Sequence, residues 1–156
     1  MLIIDIPGFK TLEIHHLMLD FNGTLGIDGM LQHGVASRLE QLAKLVEIHV
    51  ITANSYGNVK EQLNGINCNI VIIDPKHQDL QKAEYLKNLG ADNTIAIGNG
   101  RNDRLMLRKA AIGILTLQAE GAAVEALVMA DVVVNDIHHA LDLLIYPKRL
   151  LATLRS

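Results

Sequence analysis

An apolar run that ends in an acid is the strongest chemical signal in this sequence. Residues 17–19 are apolar, Asp20 follows them, and Asn22 and Gly23 then break the run. A carboxylate at a strand end can act as a nucleophile, and the backbone N–H groups of the next turn can hold the oxygens of an anion. Gly23 permits the dihedral angles that such a turn requires. Because Asp and Asn-Gly are also common in ordinary turns, the motif by itself favours a turn, and a site needs support from elsewhere in the chain.

Further polar residues follow other apolar runs. Thr52 comes directly after the second run, where its hydroxyl could bind a phosphate oxygen or cap a helix. Lys82 lies near the start of a segment with helical spacing, and residues 99–103 follow a later apolar run. The carboxyl ends of parallel strands meet at one edge of a sheet, which is where ligands bind in such folds. We therefore expect these residues to face one crevice together with Asp20.

Short apolar runs alternate with segments of helical spacing along most of the chain. The runs are typical of strands buried on both faces and occupy residues 17–21, 48–51, 70–73, 94–97, 112–115 and 132–134. Amphipathic helices are predicted over residues 35–46 and 80–89, and Gly90 ends the second one. This alternation predicts an α/β fold: a three-layer, Rossmann-like parallel sheet with helices on both faces. Ahead of it, residues 2–6 and 10–14 predict an antiparallel β-hairpin.

The length and composition exclude several classes of protein. The 156 residues fit one domain, with the hairpin at 1–14, a core at 15–134 and C-terminal helices at 135–156. A net charge of −3 and 3% aromatic residues disfavour nucleic acid as a partner. No run approaches the roughly 20 apolar residues of a membrane span and the start lacks a signal peptide, so we expect a cytoplasmic protein that does not bind membranes. The single cysteine, Cys68, is expected to be structural.

In order along the chain, these motifs resemble the haloacid dehalogenase (HAD) superfamily of phosphotransferases. The signatures of that family are Asp-x-Asp-Gly-Thr, a Thr or Ser after the second strand, a Lys, and Gly-Asp-Gly-x-Asn-Asp. The corresponding segments here are Asp20-Phe21-Asn22-Gly23-Thr24, Thr52, Lys82 and Gly98-Asn99-Gly100-Arg101-Asn102-Asp103. Residues 111–134, and Lys82 with Leu86 and Leu89, also resemble the soluble phosphorylation domain of P-type ATPases.

The resemblance implies a role for each matching residue. Asp20 would attack phosphorus and form an aspartyl phosphate with the help of Mg²⁺, while Thr52 and Lys82 would bind the phosphoryl oxygens. Lys76 is the rival of Lys82, whose helical spacing matches the family element better. The implied catalytic residues are Asp20, Asn22, Thr52 and Lys82. The implied phosphate-binding residues are Phe21, Asn22, Gly23, Thr24, Thr52, Ala53, Asn54 and Lys82, and the implied metal ligands are Asp20, Asn22, Asn99 and Asp103.

Two amides stand where the family has acids. Asn22 replaces the general acid and base of the family's phosphatases, and an amide can neither donate nor accept that proton. Asn99 replaces an acid that reaches the metal, so we expect Mg²⁺ to bind more weakly and to depend on a bound phosphate. The leading interpretation is a Mg²⁺-dependent phosphohydrolase or phosphotransferase, with activity that could resemble an ATPase. The alternative is a catalytically impaired phosphate or nucleotide sensor.

The spacing of the motifs bears on the substrate. About 30 residues separate Asp20 from Thr52, and about 30 separate Thr52 from Lys82, which leaves room for one helix each and no cap domain. The resemblance then implies that a second subunit or a large phosphorylated substrate covers the site, so we expect a homo-oligomer. The adjacent pairs His15-His16 and His138-His139 are not expected to form metal sites, because neighbouring side chains diverge.

Overall fold

A computed structural model describes residues 1–156 and contains ten strands and seven helices. The strands are β1 (Leu2–Ile6), β2 (Lys10–Ile14), β3 (His16–Leu19), β4 (Gly26–Ile27), β5 (Met30–Leu31), β6 (Glu47–Thr52), β7 (Asn69–Ile72), β8 (Thr94–Gly98), β9 (Ile112–Thr116) and β10 (Val132–Val134). The helices are α1 (Val35–Leu42), α2 (Val59–Gln62), α3 (Gln78–Leu89), α4 (Arg104–Lys109), α5 (Val124–Leu127), α6 (Ile137–Ile145) and α7 (Pro147–Leu154).

Six strands form one parallel sheet in the order β10-β9-β8-β3-β6-β7. Every residue of β8 and β9 is buried, as are the last five residues of β6. Strands buried on both faces are expected where helices cover both sides of a parallel sheet. The predicted α/β fold is therefore confirmed, with β3 at a central position between β8 and β6.

The helices divide between the two faces of the sheet. Apolar side chains of α1, α2, α6 and α7 join the larger core cluster of 29 buried residues. Those of α3, α4 and α5 join a smaller cluster of 9 buried residues on the other face. The chain thus has three layers, and the carboxyl edge of the sheet lies open between the helix layers.

The predicted N-terminal hairpin is also confirmed. Strands β1 and β2 pair antiparallel from Leu2 opposite Ile14 to Ile6 opposite Lys10, and they form a sheet of their own. Burial alternates along β1, with one face turned toward the larger core. This period of two is what a half-buried antiparallel strand requires.

Some boundaries differ from those that the apolar pattern predicts. Strand β3 ends at Leu19, so Asp20 and Phe21 lie beyond it in the following turn. Residues 26–31 lie outside the strands and helices predicted from the sequence, and they form the small hairpin β4–β5. Asp28 and Gly29 have φ values of 51° and 76°, as the two central residues of a tight hairpin turn need. The Asp-Gly pair carries this signal in the sequence. None of the helices is long and apolar enough to cross a membrane.

Candidate active site

The carboxyl ends of the central strands form a polar cleft of about 420 Å³. Asp20 follows β3, Thr52 ends β6 and Asn99 follows β8, and all three line the cleft. These strands are neighbours in the sheet, so residues far apart in sequence meet at one edge. The structure thus brings together the polar residues that the sequence places after the apolar runs.

Lys82 lies directly behind Asp20, below the residues that line the cleft. It belongs to α3, its side chain is 0% exposed, and its Nζ donates to Asp20 Oδ1 at 2.8 Å and to Asp103 Oδ1 at 2.7 Å. Burying an ammonium group is costly unless it is paired and hydrogen-bonded, and two carboxylates provide that here. The rival lysine, Lys76, is exposed on the loop before α3. The structure therefore places Lys82, and not Lys76, beside Asp20.

The charges in this buried group do not balance. Asp20 and Asp103 both approach one ammonium, which leaves a net negative charge when both acids are ionised. Burial raises the pKa of Asp20 from 3.8 to about 7; the neighbouring charge of Asp103 adds to this rise and Lys82 opposes it. Burial by itself would lower the pKa of Lys82, but the attraction of Asp103 and Asp20 outweighs burial and raises it. A further cation would therefore be stabilised beside Asp20.

Asp103 accepts three hydrogen bonds from the protein. Oδ1 accepts from Lys82, and Oδ2 accepts from the N–H groups of Asn99 at 3.0 Å and Gly100 at 2.8 Å. The residue is 0% exposed and lies under Gly98, where a Cβ atom would come within 2.5 Å of Asp103 Cγ. Asp103 thus positions Lys82 and the turn after β8, while its expected role as a metal ligand stays a prediction.

The turn after Asp20 has fewer free amides than expected. The N–H of Gly23 donates to the Gly26 carbonyl, and that of Thr24 donates to the Phe21 carbonyl. Both amides are used to build the turn, so the phosphate-binding role expected of Gly23 and Thr24 stays a prediction. The amide of Phe21 lies against the Asp20 carboxylate, and the amide of Asn22 has no acceptor within the protein. The backbone N–H of Asn22 is therefore the group in this turn that can donate to an anion.

Gly23 is needed for a second reason besides its φ of 77°. A Cβ atom at this position would lie 2.3 Å from Asn99 Nδ2. That nitrogen donates to the Gly121 carbonyl at 3.0 Å, which fixes the orientation of the amide and turns Oδ1 toward Thr24. An aspartate at position 99 could not make the bond to Gly121, because an ionised carboxylate has no proton to donate. The loop around Gly121 therefore favours the amide that the chain carries.

The oxygens near Thr24 fit a hard cation. The Thr24 hydroxyl lies 3.3 Å from Asp20 Oδ2 and 3.3 Å from Asn99 Oδ1, and its one hydrogen can satisfy only one of them at a time. Carboxylate and amide oxygens are the ligands that Mg²⁺ takes in proteins. Together with the net negative charge, this donor set fits Mg²⁺. The backbone carbonyl of Asn22, expected from the sequence as a ligand, belongs to the same turn.

The side chain of Asn22 is unpaired within the protein. Its Oδ1 is buried without a hydrogen-bond partner, and the residue lines the cleft next to Asp20. A buried amide oxygen that lacks a donor is costly, so a ligand group or water that donates to it is favoured. An amide here can position a group but cannot shuttle a proton.

The loop after β6 supplies a hydroxyl and an amide. Thr52 is 1% exposed, and its Oγ1 accepts from the Asn54 N–H at 3.0 Å, so the hydroxyl hydrogen is left to donate. Ala53 lines the cleft, and its N–H has no acceptor in the protein. The side chain of Asn54, another expected phosphate ligand, accepts at 3.1 Å from the N–H of Val59, the first residue of α2. Its N–H is also engaged, so Asn54 shapes the loop.

Two glutamines that the sequence interpretation missed hold the nucleophile turn in place. Gln118 Nε2 donates to the carbonyls of Gly23 and Thr24 at 2.9 Å each, and Gln32 Nε2 donates to the Thr24 carbonyl at 3.0 Å. Gln32 also donates to Gln118 Oε1 at 3.1 Å. No local pattern identifies such residues, because both follow short strands and approach the turn only in the folded chain.

Comparisons with known proteins relate the chain to a relative by sequence and to solved structures by fold. No protein-family model matches the chain. The uncharacterized protein MJ0073 of Methanocaldococcus jannaschii is 43% identical over 83 residues, which are 51% of this chain and 89% of that protein. The 3-deoxy-D-manno-octulosonate 8-phosphate phosphatase of Moraxella catarrhalis, solved with magnesium, phosphate and KDO, has a TM-score of 0.70 at 16% identity, covering 92% of this chain and 94% of its own.

A Legionella pneumophila protein assigned to HAD subfamily III A gives a TM-score of 0.71 at 17% identity, over 90% of this chain and 87% of its own. At these identities the solved structures establish the fold, and the chain has no domain inserted between its sheet strands. The chain therefore belongs to the same family as the M. jannaschii protein and has the fold of the haloacid dehalogenase superfamily, without a cap domain.

Proposed function

We propose that this chain is a Mg²⁺-dependent phosphohydrolase or phosphotransferase in which Asp20 is the nucleophile. The observation that carries the proposal is the buried ammonium of Lys82, held at 2.8 Å from Asp20, whose carboxylate lines an open polar cleft. A fixed cation beside a strand-end carboxylate is suited to neutralising the charge of a transferring phosphoryl group. The magnesium and phosphate of the Moraxella enzyme support the same class of ligand.

In the proposed reaction one oxygen of Asp20 attacks phosphorus in line as the bond to the leaving group breaks. The product is an aspartyl phosphate, which water then hydrolyses to release phosphate and restore the carboxylate. The phosphoryl oxygens are held by the Lys82 ammonium, the Thr52 hydroxyl and the backbone N–H of Asn22. Asp20 and Asn99 would hold Mg²⁺, which supplies positive charge at the phosphoryl oxygens and favours ionised Asp20.

Asn22 restricts the substrates that such a site can use well. Without a general acid beside Asp20, the leaving group must depart with little protonation, and general acid and base help is typically worth about 10²–10⁴ in rate. Acyl phosphates and phosphoric anhydrides meet this condition, whereas alkyl phosphates do not. We therefore propose phosphoric anhydrides, as for an ATPase, or acyl phosphates as substrates ahead of sugar phosphates.

A phosphate or nucleotide sensor is the second candidate, and the two amides favour it. Asn22 and Asn99 keep the shape of the site while removing a proton shuttle and a metal charge. A sensor would bind phosphate in the cleft without turning it over. Asp20 and Thr52 line one cleft and Lys82 lies 2.8 Å behind Asp20, which supports the enzyme instead.

One experiment separates the two candidates. The protein is incubated with acetyl phosphate or ATP and Mg²⁺, and the adduct is tested for stability in acid and lability to hydroxylamine. An enzyme gives an adduct that maps to Asp20 and is lost in Asp20→Asn, while the exposed control Asp92→Asn retains it. Phosphate binding by calorimetry without any adduct or turnover supports the sensor, and the absence of both overturns each candidate.

A homo-oligomer is part of the same proposal. The fold has no cap, and the apolar side chains of Val124 and Val128 are 74% and 67% exposed at α5, next to the cleft residue Arg101. A second copy that covers this rim would shield both the apolar side chains and the cleft. Sedimentation of the wild type and of Val124→Ser tests it; a monomer at all concentrations contradicts it.

A further inference from the structure

A second group of ligand-type side chains lies at the opposite edge of the sheet. His16 is the first residue of β3, and Glu47 and His49 belong to the neighbouring strand β6. His16 pairs with Glu47 in the parallel register, and residues 47 and 49 lie on one face of β6 because strand side chains alternate. Folding thus brings together three residues that no local motif connects.

The three ligand atoms lie at separations typical of a metal site. His16 Nδ1 is 3.2 Å from His49 Nε2 and 3.5 Å from Glu47 Oε2, and His49 Nε2 is 3.6 Å from Glu47 Oε2. Zinc ligands lie about 2.0–2.2 Å from the ion, so two ligand atoms at the tetrahedral angle are roughly 3.3–3.5 Å apart. The observed separations, from 3.2 to 3.6 Å, lie close to this spacing.

Tyr85 contacts the second ring nitrogen of His49. Its hydroxyl lies 2.9 Å from His49 Nδ1, the nitrogen that faces away from the cluster. Metal-binding histidines usually donate this second N–H to a fixed acceptor, which leaves the other nitrogen free to bind the ion. The contact with Tyr85 thus leaves Nε2 of His49 facing His16 and Glu47.

The remaining side of the cluster is open. His16 and Glu47 line a cavity of about 540 Å³ at the amino edge of the sheet, and the side chain of Glu47 is 68% exposed. An ion held by the three residues would have a fourth position facing this cavity, where water can bind. Two imidazoles and one carboxylate neutralise one of the two charges of a divalent cation.

We propose that His16, His49 and Glu47 bind a divalent transition-metal ion of the Zn²⁺ class, with a fourth position open to solvent. Imidazole nitrogen suits zinc and its neighbours, whereas Mg²⁺ prefers oxygen ligands of the kind found near Asp20. The proposed zinc site and the Asp20 cleft lie at opposite ends of β3; His16 and Asp20 are four residues, or roughly 13 Å, apart. The proposed site therefore differs from the cleft in both position and ligand chemistry, and it does not depend on the proposed activity.

The test uses the full chain carrying Asp20→Asn, which removes the carboxylate of the other site. Calorimetry is expected to show one Zn²⁺ bound per chain, and Co²⁺ in its place is expected to give the strong visible absorption of a four-coordinate ion. Millimolar Mg²⁺ should not displace either ion. The proposal is overturned if adding His16→Gln leaves the affinity for Zn²⁺ unchanged. It is also overturned if bound Co²⁺ gives only the weak absorption of a six-coordinate ion.

Variants assign the ligands. His16→Gln and Glu47→Gln are expected to weaken Zn²⁺ binding by more than tenfold, and Tyr85→Phe by about tenfold, the lower end of what loss of a supporting hydrogen bond causes. His139→Gln is the matched control, because His139 is an exposed histidine 3.4 Å from Asp136 and outside the cluster. Glu47 is exposed, so its variant should remain folded, as circular dichroism will show. If no variant differs from the control, the three residues form only a hydrogen-bonded cluster and the proposal is wrong.

Discussion

Asp20→Asn is expected to make the metal-free protein more stable, although it removes the proposed nucleophile. In the wild type, ionised Asp20 shares one ammonium with Asp103 in a buried site. The asparagine keeps an oxygen that can accept from Lys82 but brings no charge, so Lys82 and Asp103 then balance each other. The free energy of unfolding should therefore rise at the pH where the wild-type carboxyl is ionised.

The size of this gain follows from the pKa of Asp20. The pKa is raised from 3.8 to about 7, so the folded protein binds more protons than the unfolded chain between these values. Wild-type stability consequently falls as the pH rises through this window, and Asp20→Asn lacks that loss. At about 1.4 kcal/mol for each pKa unit, the gain reaches about 4 kcal/mol at pH 8 and is about 1 kcal/mol at pH 4.5.

The assay is urea unfolding of both proteins at pH 4.5 and pH 8 in the presence of a chelator. Asp92→Asn serves as the control for removing an exposed carboxylate, and its effect should be small at both pH values. Mg²⁺ added at pH 8 should stabilise the wild type and leave Asp20→Asn nearly unchanged. The reasoning is refuted if Asp20→Asn is destabilising at pH 8, or if its effect is the same at both pH values.

Three further predictions concern the cleft. Mg²⁺ should bind weakly to the free protein and distinctly better with beryllofluoride, because Asn99 brings no charge; equal affinities in calorimetry would contradict this. Asn22→Asp should raise turnover of alkyl phosphates toward about 10²–10⁴-fold, and p-nitrophenyl phosphate less, because a phenolate leaves without much protonation. If that variant binds Mg²⁺ and hydrolyses no phosphate monoester faster, the sensor is favoured. Gly98→Ala should lower the free energy of unfolding by about 1–3 kcal/mol and abolish activity, because the added Cβ would displace Asp103 and with it Lys82. Turnover at the wild-type rate would show that this positioning is not needed.

The sheet and the members of the cleft follow from the sequence because they depend on strong, local signals. An apolar run of four or five residues predicts a buried strand wherever it occurs, and the polar residue at its end marks the carboxyl edge. Asp20, Thr52 and Asn99 each follow such a run, so their meeting in one cleft could be expected from a parallel sheet alone. The ends of the strands do not follow from the apolar pattern in the same way, since Leu19 and Phe21 are both apolar although only Leu19 belongs to β3.

The hydrogen-bond partners inside the site could not be predicted in the same way. Whether the amide of Gly23 is free depends on the Gly26 carbonyl, which the β4–β5 hairpin brings into reach. The direction of the Asp103 side chain likewise depends on the space under Gly98. Each outcome is set by dihedral angles and by close contacts that residue types and spacing do not encode.

The histidine cluster shows a different limit. Sequence proximity pairs His16 with its neighbour His15, whereas the structure joins it to Glu47 and His49 across the sheet. That contact depends on the register of β3 against β6, and a shift of one residue would turn these side chains to opposite faces.

The bond from Asn99 to the Gly121 carbonyl has a consequence for the order in which substitutions can accumulate in this lineage. An acid introduced at position 99 would meet a carbonyl oxygen that it cannot satisfy, so a first step toward a more acidic metal site would be costly by itself. A prior rearrangement of the loop at Gly121, whose φ of 74° and open surroundings leave room for one, would remove that obstacle. Descendants with an acid at position 99 should therefore carry an altered loop at position 121, and laboratory evolution should recover the two changes in that order.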